Sequence, residues 1–210
     1  MIMKDAETPV LISKREGTAL LYLSFCGVMQ FRQLSRFFKP FEAKKKINTM
    51  IEKGIIQKNT IFKNKTGVKP KVIYQLTVDG MKIIKIVPNR IRSHEYVGLL
   101  SIAELITKLY ENVPIQLKRF RMPYRVIEIA NVELYIAYMR EDLRLLKNQK
   151  HIIIGPSLYD FKPLTDSKSF VRFALQNEVF LEPSDRLFYK YENDEWIKEI
   201  NAMFAPQKNE

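Results

Sequence analysis

Residues 41–56 read FEAKKKINTMIEKGII, and the way this run folds decides the organisation of the first half of the chain. Ile47, Met50 and Ile51 fall at i, i+3 and i+4, and Ala43 extends the stripe one turn earlier. That spacing predicts an amphipathic helix with one apolar face. Lys44, Lys45, Lys46, Asn48, Thr49 and Glu52 take the other sides. Gly54 ends the helix, and Ile55 and Ile56 open an extended segment. Three adjacent lysines on a helix are ordinarily a solvated face. They become more than that only if neighbouring elements hold the apolar face and turn the lysines towards a partner.

The neighbours predict such a hold. Upstream, KREGTALLYLSFC at 14–26 reads as a buried helix stopped by Gly27. Phe31, Leu34, Phe37 and Phe38 make a short second helix, broken by Pro40. Downstream, IIQKNTIF and PKVIYQLT are β-like runs on either side of KNKTGVK. They read as a hairpin whose basic tip carries Lys63, Lys65, Lys69 and Lys71. TVDGMKIIKIV follows as a helix capped by Thr77, with Met81 and Ile84 packing inward. Three helices, two strands and a helix form the order of a winged helix-turn-helix. In that arrangement the third helix enters the major groove of DNA, while the hairpin can reach the adjacent backbone or minor groove. The expected contact set follows from chemistry. Lys44, Lys45 and Lys46 neutralise phosphates as point charges, with the hairpin lysines beside them. Asn48 and Thr49 read base edges. Arg32 and Gln33, near the start of the second helix, anchor backbone phosphates.

The charge distribution agrees. The 210 residues hold 35 Lys and Arg against 23 Asp and Glu, a net +12. Residues 1–92 carry 19 of the basic residues and 6 of the acidic ones, so the excess lies in the first half. An asymmetry of this kind points to nucleic acid or an anionic surface. The composition excludes several other classes. One cysteine, Cys26, allows no internal disulfide and no cysteine-based zinc site, as expected of a reducing cytoplasm. His94 and His151 form no zinc-protease motif, and the few glycines form no phosphate loop or dinucleotide fingerprint. No apolar run reaches membrane length, and MIMKDAETPVLIS lacks the apolar core of a secretion signal. No cofactor and no metal are expected.

VPNRIR at 87–92 reads as a linker, which divides the chain into a DNA-binding domain at 10–87 and an α/β domain at 93–205. The expected fold class is therefore α+β, a winged helix-turn-helix followed by a mixed α/β domain. In the second domain SHEYVGLLSIAELITKLYENV is a long amphipathic helix. QLKRFRMPYRVIEI reads as an exposed, proline-interrupted loop entering a strand, with Lys118, Arg119, Phe120, Arg121 and Tyr124 as a basic and aromatic cluster. ANVELYIAYMRED leans towards a strand, and HIIIGPS is a buried strand. DSKSFVRFALQN reads as a helix capped by Asp166 or Ser167, EVFLEP and RLFYKY as short strands, and NDEWIKEINAMF as a final helix capped by Asn193. Asp160, Glu182 and Asp185 have no metal-ligand spacing.

LTVDGMKII resembles the Leu-Thr-x-x-Gly ending of many winged-helix units, and INTMIEKGII resembles the end of a recognition helix. RIRSHEYVGLLSIAELI resembles the basic entry to the helix that follows in the replication-relaxation family of plasmid and mobile-element proteins. That resemblance implies a C-terminal domain related to restriction-endonuclease folds, and a role in plasmid replication, transfer or their control. An active nuclease of that fold needs an Asp and a Glu-x-Lys to hold a metal and activate water. Here Glu182 is followed by Pro183 and Ser184, and IEIANVE has no following lysine, so binding is expected rather than catalysis. The expected partners are double-stranded DNA, a second copy of the chain in a homodimer, and a replication or transfer protein. Two other readings stay open: a transcriptional repressor with a ligand pocket beside HIIIGP, and a metal-dependent nuclease.

Overall fold

The computed structural model describes residues 11–61, 71–85, 91, 95–121, 123–165 and 170–200. Helix α1 (Lys14–Cys26) begins with a capping box: Ser13 Oγ accepts from the Glu16 amide (3.3 Å), and the Glu16 carboxylate accepts from the Ser13 amide (2.8 Å). It ends where the Gly27 amide donates to the Leu23 carbonyl. Helix α2 is Phe31–Ser35 and helix α3 is Pro40–Glu52. Pro40 therefore does more than break the second helix. It starts the third at the first helical position, where a missing N–H costs nothing. Strands β1 (Ile56–Ile61) and β2 (Lys71–Leu76) pair antiparallel, Ile56 opposite Leu76 and Ile61 opposite Lys71. Met29 and Tyr74 exchange backbone hydrogen bonds (3.1 and 2.8 Å), so the chain between α1 and α2 adds a short third pairing to β2.

Helix α4 (Val78–Ile83) shows what the Leu-Thr-x-x-Gly pattern does physically. Leu76 is buried. Thr77 Oγ accepts from the Gly80 amide (3.0 Å), and its hydroxyl donates to the Gly54 carbonyl (2.5 Å) at the end of α3. A Cβ on Gly80 would overlap the Ile55 carbonyl, so only glycine lets α4 lie this close.

Helix α5 (Tyr96–Asn112) is buried along most of its length, touching α1 and α2 as well as β5 and β6. A seven-stranded sheet follows in the order β3 (Gln116–Arg121), β4 (Tyr124–Ile129), β5 (Val132–Tyr138), β6 (Lys150–Gly155), β7 (Phe170–Leu175), β8 (Phe188–Glu192) and β9 (Glu195–Glu199). The pairs β5–β6 and β6–β7 are parallel and the others antiparallel. The fold is thus mixed α and β, with helices first and the large sheet after.

Three expectations for the second half are corrected. QLKRFRMPYRVIEI is a hairpin, β3 and β4, with Pro123 in the turn. FVRFAL is strand β7, and the helix α6 (Gln176–Leu181) comes after it, running from the end of the expected helix into EVFLEP, which reads as extended. Phe170, Phe173 and Ala174 imitate helical spacing, but β7 lies between β6 and β8 with Phe173 and Ala174 buried on opposite faces, so its sequence does not alternate cleanly. DEWIKE is strand β9, not a helix. Asn193 and Asp194 both have positive φ (51° and 62°) and form the two-residue turn of a β8–β9 hairpin. The caps assigned to Asp166 and Ser167 lie outside the described residues.

Side-chain alternation splits the sheet's two faces. Ile127, Ile136, Ile152 and Ile154 join one core with Leu20, Leu23, Ile47 and Met50 of the first half and Leu105, Ile106 and Leu109 of α5. Val126, Tyr135, Ile153 and Phe173 face a second core with Phe161, where Trp196 packs. Apolar packing therefore continues across the expected boundary near residue 90.

Candidate nucleic-acid interface

Ala43, Ile47 and Met50 of α3 are buried, as the stripe predicts. The opposite side is open: Phe41, Lys44, Lys45, Asn48 and Glu52 are exposed and Thr49 is half-buried. Lys44 and Lys45 make no ion pair among the described residues. Lys46 differs from them. It turns back to α1 and pairs with Glu16 at 3.3 Å, with its side chain 40 % exposed. Burial alone would raise the Glu16 pKa, but hydrogen bonds from Ser13 and Lys46 outweigh it and hold the carboxyl below its usual value. Lys71 opens β2 on the surface, and Lys58 of β1, which the sequence reading did not select, is exposed as well. Lys63, Lys65 and Lys69 lie outside the described residues.

The two α2 positions have separate fates. Gln33 is fully buried. Its Nε2 donates to the Leu100 carbonyl and to Glu104 Oε2, both at 3.0 Å, and its Oε1 accepts from the Gln30 amide at 2.8 Å. Its amide is thus engaged inside the protein and does not face a phosphate. Arg32 is divided. Its side chain is 55 % exposed, yet Nη2 lies 2.8 Å from Glu104 Oε1 and 3.3 Å from the Phe180 carbonyl.

The partner of both is Glu104 of α5, which has no exposed side-chain surface. Arg36 also reaches Oε1 at 2.8 Å, donates to Thr107 Oγ at 2.6 Å and pairs with Glu111 at 3.1 Å. Desolvation raises the Glu111 pKa and lowers that of Lys108, whose Nζ donates to the Glu182 carbonyl at 2.6 Å. This network, absent from the sequence reading, locks α2 to α5. Its signal was present: Ser101, Glu104, Thr107 and Glu111 recur at helical spacing in an apolar run, and Arg32 and Arg36 stand one turn apart. A second tie comes from buried Arg125, whose Nε donates to the Phe25 carbonyl in the last turn of α1 at 2.6 Å. Burial lowers its pKa to about 10, which leaves it charged at neutral pH.

Beside this network a groove of about 440 Å³ separates the start of α1 from the α2–α3 turn. Lys14, Arg15, Arg36 and Lys39 line it with Tyr110. A basic rim therefore continues from the start of α3 to the start of α1.

The space beside HIIIGP is occupied by aromatic packing. Phe161 sits against Gly155 and 4.8 Å from the Phe173 ring, and Trp196 stands edge-on to Phe173 at 5.1 Å. Among the described residues no three His, Cys, Asp or Glu side chains converge as metal ligands. Glu128 and Glu133 face each other across β4 and β5, and Lys118 pairs with Glu128 at 3.1 Å. Cys26 is buried, and burial pushes its thiol up to about 12, so it is inert at neutral pH. Among the described residues no helix is long and apolar enough to cross a membrane. Compared with known protein families and with curated proteins, the sequence matches none.

Proposed function

We propose that the chain is a DNA-binding protein, with a winged helix-turn-helix in its first half and α3 as its recognition helix. The observation that carries this reading is the division of α3: Ala43, Ile47 and Met50 are held in the core, while Lys44, Lys45 and Asn48 stand exposed together. Lys44 and Lys45 neutralise phosphates, and Asn48 and Thr49 reach base edges. Lys71 and Lys58 contact the flanking backbone, and Lys63, Lys65 and Lys69, which lie between them in sequence, add to that contact set. Arg32 reaches a phosphate only by exchanging part of its contact with Glu104. Gln33 is outside the contact set. The action is binding, not chemistry. In a homodimer, two copies of α3 would meet half-sites about one helical turn apart.

A role in replication or transfer of a plasmid or mobile element, or in its control, rests on the resemblance at 90–106. The test is binding to random-sequence duplex DNA over a salt series, with Lys44→Ala/Lys45→Ala in parallel. Each lost phosphate contact lowers the salt slope by about 1, so the double variant should lose about 2. Equal slopes would remove α3 from the interface.

A further inference from the structure

Phe41 is 78 % exposed although it sits in the first turn of a well-seated helix. Neither the core nor the capping of α3 uses its ring. It lies on one stripe with Lys45 and Asn48, at i, i+4 and i+7, with Lys44 beside them. The Lys39 ammonium stands 5.8 Å from the ring centroid. The carboxylates on the helix are Glu42, half-buried in the first turn, and Glu52 at the far end. The N-terminal half of the exposed face is therefore an apolar ring set among cations. A surface of this kind fits a polyanion that also presents apolar groups. Duplex DNA does so in the major groove, where each thymine carries a 5-methyl group among the phosphates. Recognition helices meet base edges with their N-terminal residues, which is where Phe41 lies.

We propose that Phe41 is a specificity-determining residue that packs against thymine methyl groups in the major groove. This rests on the reading of α3 as a DNA-contacting helix. The lysines supply affinity without sequence choice, and the ring adds a preference for thymine at the positions it covers.

The experiment compares one DNA pool in two chemical forms. Duplexes retained by the native protein from a short random-sequence library are re-amplified with thymidine or with deoxyuridine triphosphate, which lacks only the methyl. Native, Phe41→Ala and Phe41→Leu proteins are titrated with both, and their thermal melts are checked for an unchanged fold. The native protein should bind the thymine form about 4-fold more tightly for each methyl it covers. Phe41→Leu should keep part of that preference, and Phe41→Ala should bind both forms alike. Equal native binding to the two forms, or an undiminished preference in Phe41→Ala, would overturn the assignment while leaving the DNA reading intact. Failure of the native protein to bind either form would overturn both.

Discussion

Glu104 is a carboxylate without exposed surface, held by two guanidiniums and an amide. Removing one member of such a cluster leaves uncompensated charge in the interior. Glu104→Ala should destabilise the protein by about 3–5 kcal/mol in urea unfolding. Glu104→Gln, which keeps a hydrogen-bonding group, should cost less. On α3 the neighbouring lysines should separate by their partners. Lys45→Ala should lower the salt slope of DNA binding by about 1, and Lys46→Ala by less, because Lys46 is already paired with Glu16. His151 is buried, with Nε2 accepting from the Leu146 amide at 3.1 Å, and burial lowers its pKa to about 4 from an ordinary 6.5. Between those values the unfolded chain binds one more proton than the folded one. The stability His151 contributes is therefore complete above about 6.5 and lost as pH falls towards 4, up to about 2–3 kcal/mol. Melting temperature measured from pH 7 to 4.5 should fall further for the native protein than for His151→Gln.

At the scale of elements, the order of helices and strands among the described residues of the first half follows the sequence patterns, because each signal there is local. The α3 stripe, Gly27, Thr77 and the two β-runs all specify structure within a few residues. The second half was legible where it alternates or forms a short apolar run, as in β5 and β6. It misled where a turn residue has two uses. Asn193 is an acceptable helix cap, but Asn193 and Asp194 at positive φ make a hairpin turn. Asp194→Gly should therefore stabilise the protein by up to about 1 kcal/mol, since glycine takes that conformation without a Cβ penalty, and Asp194→Val should destabilise it. Thermal melts of both variants decide the point, and a stabilising valine would contradict the turn. The candidate site was legible as a lysine-bearing helix face. The fates of Gln33 and Lys46 were not, because their partners lie 71 and 30 residues away in sequence.

Over the whole molecule, the continuous core and the Glu104 network join the helical first half to the sheet. Unfolding should accordingly be one cooperative step. Trp196, the one tryptophan, packs in the core on the far side of the sheet, so its fluorescence reports that region while circular dichroism reports the helices. The two signals should change at the same denaturant concentration, and separate midpoints would mean that the halves unfold independently. The central claim is that the exposed face of α3 lies against DNA. Because Cys26 is buried and inert, a photo-crosslinker can be attached to one new cysteine at a time. The measurement is crosslinking to random-sequence duplex from Asn48→Cys, with Asp142→Cys, exposed in the loop after β5, as the control. Strong crosslinks from position 48 and few from position 142 are the predicted result. Bound DNA that crosslinks equally from both positions, or from 142 alone, would contradict it.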